Sequence, residues 1–189
     1  MVYIQKGVTG TSPCGDMSKK YHRARQYRLP YFNYASTAYY FVTLRTKEKQ
    51  QYFGKVCNGV VELSAIGKIV KECFTNLPRK LHYLAVDVFV IMPDHVHLLV
   101  LITNPGEERT IREKKFQPEK RSLSLAIRNL KATTTLLVRR RMGGVNIWHR
   151  RFYDHIVRNE DELNRIRTYI RNNSLRWDIE RNHPQALLI

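Results

Sequence analysis

Acidic residues are scarce in this chain: 16 Asp and Glu stand against 33 Lys and Arg, leaving a formal net charge of +17. Long apolar runs are absent as well. No stretch approaches the ~18 apolar residues that cross a bilayer, which excludes an integral membrane protein. Met1 to Thr11 holds no apolar h-region, so no secretory signal is expected and a cytoplasmic location is. Cysteine is sparse and odd in number. Cys14, Cys57 and Cys73 lie far apart without metal-like spacing, which argues against a disulfide framework or a zinc site and for reduced thiols.

What is present is a core and a large positive charge. With 189 residues and 43% hydrophobic side chains, the chain suffices for one folded domain and little more. A charge of +17 on one domain exceeds what solubility requires, and its commonest use is neutralising phosphates. Nucleic acid is therefore the expected partner. The plainer alternative is a basic surface protein with no site of its own.

The organisation reads from pattern and punctuation. Residues 1–35 form an extension in which Lys19, Lys20, Arg23, Arg25 and Arg28 are interleaved with Tyr21, Tyr27, Tyr31 and Phe32. Such a mixture suits phosphate neutralisation with base stacking, or an arm pinned to the domain by its aromatics. Residues 36–178 read as the folded domain and 179–189 as a tail. A strand covers Tyr39 to Leu44 by its aromatic and β-branched composition. Leu63, Ile66, Ile69, Val70 and Phe74 recur at helical spacing from Glu62 to about Asn76, and Pro78 ends that helix. Tyr83–Met92 and Val96–Ile102 are two apolar runs joined at Pro93-Asp94, an expected hairpin of interior strands. A basic loop fills 103–121. Ser122 opens a helix to about Met142, stopped by Gly143-Gly144. A strand lies within Val145 to Val157, and a last helix runs from about Asn159 to Asn173. The expected class is α+β: a ferredoxin-like β-α-β-β-α-β antiparallel sheet with helices on one face and one extra C-terminal helix.

His95 and His97 are the sharpest chemical feature. Alternate residues of a strand share a face, so both imidazoles point one way and make half of a divalent-metal site. A His-x-His pair is weak evidence alone, because seven histidines in 189 residues give roughly a quarter of such a pair by chance. Two hydrogen-bonded core histidines are the structural alternative. In the last helix Leu163, Ile166 and Ile170 form the buried stripe, and Tyr169 and Asn173 fall together on its flank, one turn apart. By spacing alone, plain helix packing explains those two residues.

Met92-Pro93-Asp94-His95-Val96-His97-Leu98-Leu99 resembles the HUH strand of single-strand DNA transposases. Ile147-Trp148-His149-Arg150-Arg151-Phe152-Tyr153-Asp154-His155-Ile156-Val157-Arg158-Asn159, followed by Tyr169-Ile170-Arg171-Asn172-Asn173, resembles the subfamily of REP-associated tyrosine transposases. The opening strand fits that subfamily too, and the likeness spans about residues 36–177. Two departures stand out: His149 occupies the usual Gln position after the tryptophan, and Asn173-Ser174 replaces the common Asn-Pro.

The resemblance implies a nicking and joining enzyme for single-stranded, hairpin-containing DNA. By motif position Tyr169 would be the nucleophile, forming a 5′-phosphotyrosine link and freeing a 3′-OH. His95, His97 and Asn173 would hold Mg²⁺ or Mn²⁺, and no nucleotide cofactor would be needed. It leans to a monomer with its tyrosine in cis, although related transposases dimerise. A phenol of pKa near 10 needs a cation or base beside it to react at neutral pH. Tyr153 is the rival nucleophile or a DNA contact, and His155 is either an accessory to the site or a structural histidine. Arg150, Arg151, Lys131, Arg112, Lys114 and Lys115 are the candidate phosphate contacts. A non-catalytic nucleic-acid-binding protein on the same fold, or a water-activating metal hydrolase, are the alternatives.

Overall fold

The computed structural model describes residues 32–34, 36–103, 122–144 and 146–182. Strand β1 (Ala38–Arg45) leads into a 3-10 turn, then into a small hairpin of β2 (Gly54–Cys57) and β3 (Val60–Leu63). Helices α1 (Ala65–Thr75) and α2 (Leu77–Lys80) follow, then β4 (Leu84–Met92), β5 (His95–Ile102), α3 (Leu123–Met142), β6 (Tyr153–Ile156), α4 (Glu160–Arg171) and α5 (Asn173–Asn182). The class is α+β. Four strands form one antiparallel sheet in the order β4-β5-β1-β6, and β2-β3 forms a separate two-stranded sheet.

Local chemistry explains most of these boundaries. Ser64 caps α1 by accepting the Gly67 N–H at 3.0 Å, and its own hydroxyl donates to the Tyr52 carbonyl at 2.6 Å. Ser122 accepts the Leu125 N–H to open α3. Asn159 accepts the Glu162 N–H at 2.8 Å to open α4, whose first turn carries Glu160, Asp161 and Glu162 against the helix dipole.

The sheet is covered on both sides. Tyr40, Val42, Leu44, Val96, Leu98, Val100 and Ile102 pack in the main core with Ile69, Val70 and Phe74 of α1 and Ile127, Leu130 and Val138 of α3. The opposite face meets α4 in a smaller cluster of Leu99, Leu163 and Ile170, flanked by Phe41, Val90 and Tyr169. Arg167 of α4 also grips the Asp87 carboxylate of β4, at 2.7 Å from Nη2 and 3.0 Å from Nε.

Four expectations need correction. The helix expected from Glu62 begins at Ala65, because Glu62 and Leu63 belong to β3. The β2-β3 hairpin was not expected at all. Asn58 and Gly59 sit at φ 52° and 71°, so this is an Asn-Gly turn with both central residues left-handed. Only β5 of the apolar hairpin is interior, since β4 takes the sheet edge and exposes Ala85 and Asp87. The closing helix breaks at Asn172, and α5 runs on to Asn182, into the segment expected as a tail. Of the expected extension only 32–34 are described, where Phe32 and Tyr34 pack against the main core; its other residues and the loop after Thr103 lie outside the described residues, as do Cys14, Arg112, Lys114 and Lys115. No helix among the described residues is long and apolar enough to cross a membrane.

Candidate active site

Register builds the site. Thr43 of β1 pairs with His97 of β5, and Arg45 pairs with His95. Phe41, Thr43 and Arg45 share one face of β1, and His95, His97 and Leu99 share the same face of β5. This is the face that α4 covers, so a residue on the inner flank of α4 meets the two imidazoles.

Each imidazole is fixed from behind. His97 Nδ1 lies 3.0 Å from Thr43 Oγ1, and its ring stacks on Phe41 at 5.3 Å between centroids. His95 Nδ1 lies 2.6 Å from Asp94 Oδ1. A carboxylate accepts, so Nδ1 is the donor of this pair and Nε2 is the nitrogen that would face a ligand. Asp94 is itself held, because its carbonyl accepts from both the backbone N–H and the hydroxyl of Thr46, each at 2.9 Å. The two imidazole rings are 4.6 Å apart.

Tyr169 comes down from α4 onto this pair. Its hydroxyl is 3.2 Å from His97 Nε2, and its ring meets His97 at 5.2 Å and Phe41 edge-on at 6.0 Å. Asn173 opens α5 one turn later and is 7% exposed. Trp177 reaches the outer side of His95, with 5.5 Å between ring centroids, and the Arg176 guanidinium lies 5.7 Å from the Tyr169 ring.

The electrostatics follow from burial. His97 is held well below its usual pKa by desolvation, with a further lowering from its neighbours His95 and Arg45. It is a neutral imidazole, the form that binds metals and accepts protons. Burial raises the Tyr169 phenol, Glu180 adds to the rise, and Asn173, Arg176 and Arg45 oppose it. The phenol therefore stays protonated at neutral pH and needs help to become a nucleophile.

A metal fits the donors present. Two imidazoles hold their Nδ1 atoms engaged, and the Asp94–His95 pair is the carboxylate–histidine arrangement found behind metal-ligating histidines. Among the described residues there is no cluster of three His, Cys, Asp or Glu, so the two imidazoles are the donors of that kind present here.

Comparison with known proteins places this geometry. An uncharacterised protein of Haemophilus influenzae is 31% identical over 173 residues, covering 86% of this chain and 96% of that one. The two chains belong to one family. No protein-family profile matches the chain. Among solved structures, a REP-associated tyrosine transposase bound to a REP hairpin superposes with a TM-score of 0.57 at 18% identity, over 81% of this chain and 74% of that one. A candidate transposase from Deinococcus radiodurans gives a TM-score of 0.46 at 15% identity, over 79% and 95% of the two chains. The fold is that of a REP-associated tyrosine transposase.

Within this transposase fold the other expected residues fall in separate places. Tyr153 of β6 pairs with Thr43 and so shares the site face, but it lies two strands from His97, about 10 Å of sheet at ~4.8 Å per strand. His155 pairs with Phe41 and turns to the start of α4, where its Nε2 is 2.8 Å from Glu162 Oε1. Glu162 also accepts the Arg158 N–H at 2.8 Å, so this pair locks the turn that launches α4.

Arg150 and Arg151 are exposed on a segment tied to α3. Trp148 Nε1 donates to Thr134 Oγ1 at 2.7 Å, and Lys131 Nζ donates to the His149 and Arg151 carbonyls at 2.9 and 3.2 Å. Burial lowers the Lys131 pKa to about 8, and its ammonium is turned onto the main chain beneath the two arginines.

Thr43, Arg45, Asp94, Arg176 and Trp177 were not anticipated as site residues. Asp94 had a signal, an acid directly before a His-x-His. The others depend on cross-strand register and on the course of α5, which a linear pattern does not carry.

Proposed function

We propose that the chain is a metal-dependent single-stranded DNA endonuclease and strand transferase, built on a ferredoxin-like frame, that acts on hairpin-bearing DNA through a 5′-phosphotyrosine intermediate. The observation that supports this reading is the 3.2 Å contact between the Tyr169 hydroxyl and His97 Nε2, on the face that also carries His95. A phenol set against a neutral imidazole inside a strongly basic protein suits phosphoryl transfer to tyrosine, and the raised phenol pKa is what a cation beside it would offset.

The roles follow from the contacts. Tyr169 would attack phosphorus and displace the 3′ oxygen, so that the P–O bond to tyrosine forms as the P–O3′ bond breaks. The phenol proton would pass to solvent, because His97 Nδ1 is engaged by Thr43 and Nε2 is the nitrogen left to hold the cation. His95, His97 and Asn173 would hold Mg²⁺ or Mn²⁺, and two nitrogen donors favour Mn²⁺ over the oxygen-seeking Mg²⁺. The cation would draw charge from the non-bridging oxygens. Asp94 and Thr43 orient the two imidazoles. Because Tyr169 reaches the histidines of its own chain, a monomer is sufficient for this chemistry.

The test is a nicking assay on single-stranded DNA carrying a hairpin, with Mn²⁺, comparing wild type, Tyr169→Phe and His97→Ala. Loss of a protein–DNA adduct in both variants supports the reading. Cleavage that survives Tyr169→Phe would point to an activated water, and DNA binding without cleavage on any hairpin to a binding protein.

A further inference from the structure

Helix α5 brings a further aromatic group to the rim of the candidate active site. The Trp177 ring centroid lies 5.5 Å from that of His95, His95 is 4.6 Å from His97, and His97 is 5.2 Å from Tyr169. The indole is thus three ring contacts from the phenol, at the opposite end of the histidine pair. It is half-buried, and it is not among the residues of either apolar cluster that builds the core. Core packing does not account for it. A large ring left partly open beside polar groups is a surface that a flat ligand can cover, with the indole face as the contact.

The ring is fixed in place and has cations on both sides. Asp178, the next residue, is 6% exposed, and its Oδ2 accepts the Gly59 N–H at 2.8 Å, which ties α5 to the β2-β3 turn at this point. A side chain held before its ligand arrives loses little freedom on binding. Arg176 places its guanidinium 5.7 Å from the Tyr169 ring, and Arg45 stands opposite His95 on the site face of β1. Both arginines are exposed, so both can reach a phosphate. Single-strand sites combine cations that track the backbone with an aromatic face on which a base stacks. We propose that Trp177 is the stacking platform for an unpaired base next to the scissile phosphate, with Arg45 and Arg176 on the phosphates beside it. The proposal rests on the DNA-processing reading above and adds a nucleotide subsite to it. Every base has a π-face, so the platform favours unpaired over paired nucleotides and discriminates weakly among the four bases.

The test uses the full-length protein and two oligonucleotides of equal length and charge: a 10-nucleotide thymidine strand, and a strand with the same phosphates on abasic sugars. Tryptophan fluorescence reads the stacking. The chain holds two tryptophans, and Trp148 is 6% exposed with its Nε1 bonded to Thr134, so quenching reports on Trp177. The thymidine strand should quench the wild type, and the abasic strand should bind without quenching. Trp177→Leu should abolish the quench and lower affinity for the thymidine strand about tenfold, while affinity for the abasic strand changes by no more than about twofold. Trp177→Phe keeps a ring and should recover most of the loss. Arg45→Gln with Arg176→Gln should instead weaken both strands alike and flatten log K against log salt by about 1.4, at ~0.7 per phosphate contact. Quenching that survives Trp177→Leu, equal losses on both strands in that variant, or a wild type that the thymidine strand does not quench would overturn the proposal. Binding is read without cleavage, so a quench without adduct chemistry would count against the enzymatic reading alone, and adduct chemistry without a quench against the platform alone.

Discussion

Replacing Ile170 by Ala tests how α4 delivers its tyrosine. Ile170 is fully buried beside Tyr169, and with Leu163 it supplies the helix's share of the small cluster around Leu99. The substitution removes three carbons, about 2.4 kcal/mol of transfer free energy at ~0.8 per carbon. The void adds to this. The cluster is narrow and can partly collapse, so a total of about 3 kcal/mol is expected, within the ~2–5 found for such truncations. That is a large fraction of a typical ~5–15 kcal/mol stability. Urea unfolding followed by circular dichroism measures it, with Leu136→Ala as control, since Leu136 is 49% exposed and should cost under about 0.5 kcal/mol. Amide exchange should accelerate most in α4, because Arg167–Asp87 then carries much of the docking. A loss below about 1 kcal/mol, or exchange unchanged in α4, would refute the claim that apolar packing seats Tyr169 on His97.

Glu162 is desolvated, which alone would raise its pKa. The Arg158 N–H and His155 outweigh this, and the net shift is downward. A carboxyl with a lowered folded pKa stabilises above its unfolded value, about 4.3, and loses that contribution as pH falls through the folded value. Glu162→Gln should therefore show a Tm deficit at pH 7 that shrinks below pH 4, and a deficit independent of pH would contradict the assignment. Gly59→Ala forces a side chain into φ 71° with Leu175 Cδ1 3.1 Å away, so a loss of about 1–2 kcal/mol is expected by urea unfolding, and a neutral substitution would contradict the close docking of the hairpin on α5. Asp94→Ala releases His95 Nδ1. Mn²⁺ affinity measured by calorimetry should fall about 10- to 100-fold, and an unchanged isotherm would remove His95 from the metal set.

The parts of the fold that were readable are those with strong local signals. α3 has a serine cap, a helical apolar period and a Gly-Gly stop, and it runs as expected from Leu123 to Met142. The hairpin at Pro93-Asp94 was equally plain. The β2-β3 unit escaped notice because each strand is only four residues long, and Val60 faces solvent at 65% exposure, so no alternation marks it. Its Asn58-Gly59 turn was the available signal. The apolar run of β4 is nearly as continuous as that of β5 and so hid its edge position; Asp87, which is exposed on β4, was the available signal. At the site, strand alternation was enough to put His95 and His97 on one face. That Tyr169 and not Tyr153 meets them depends on α4 folding back across the sheet, a tertiary event with no linear pattern. Arg45 entered the site because β1 pairs with β5 in a register that sets it opposite His95.

The most direct measurement is to trap the covalent complex on hairpin DNA with Mn²⁺, digest it, and locate the nucleotide-bearing peptide by mass spectrometry. The account expects the adduct on Tyr169 and none with Tyr169→Phe. An adduct on Tyr153, or cleaved DNA with no tyrosine modified under any divalent metal, would contradict it.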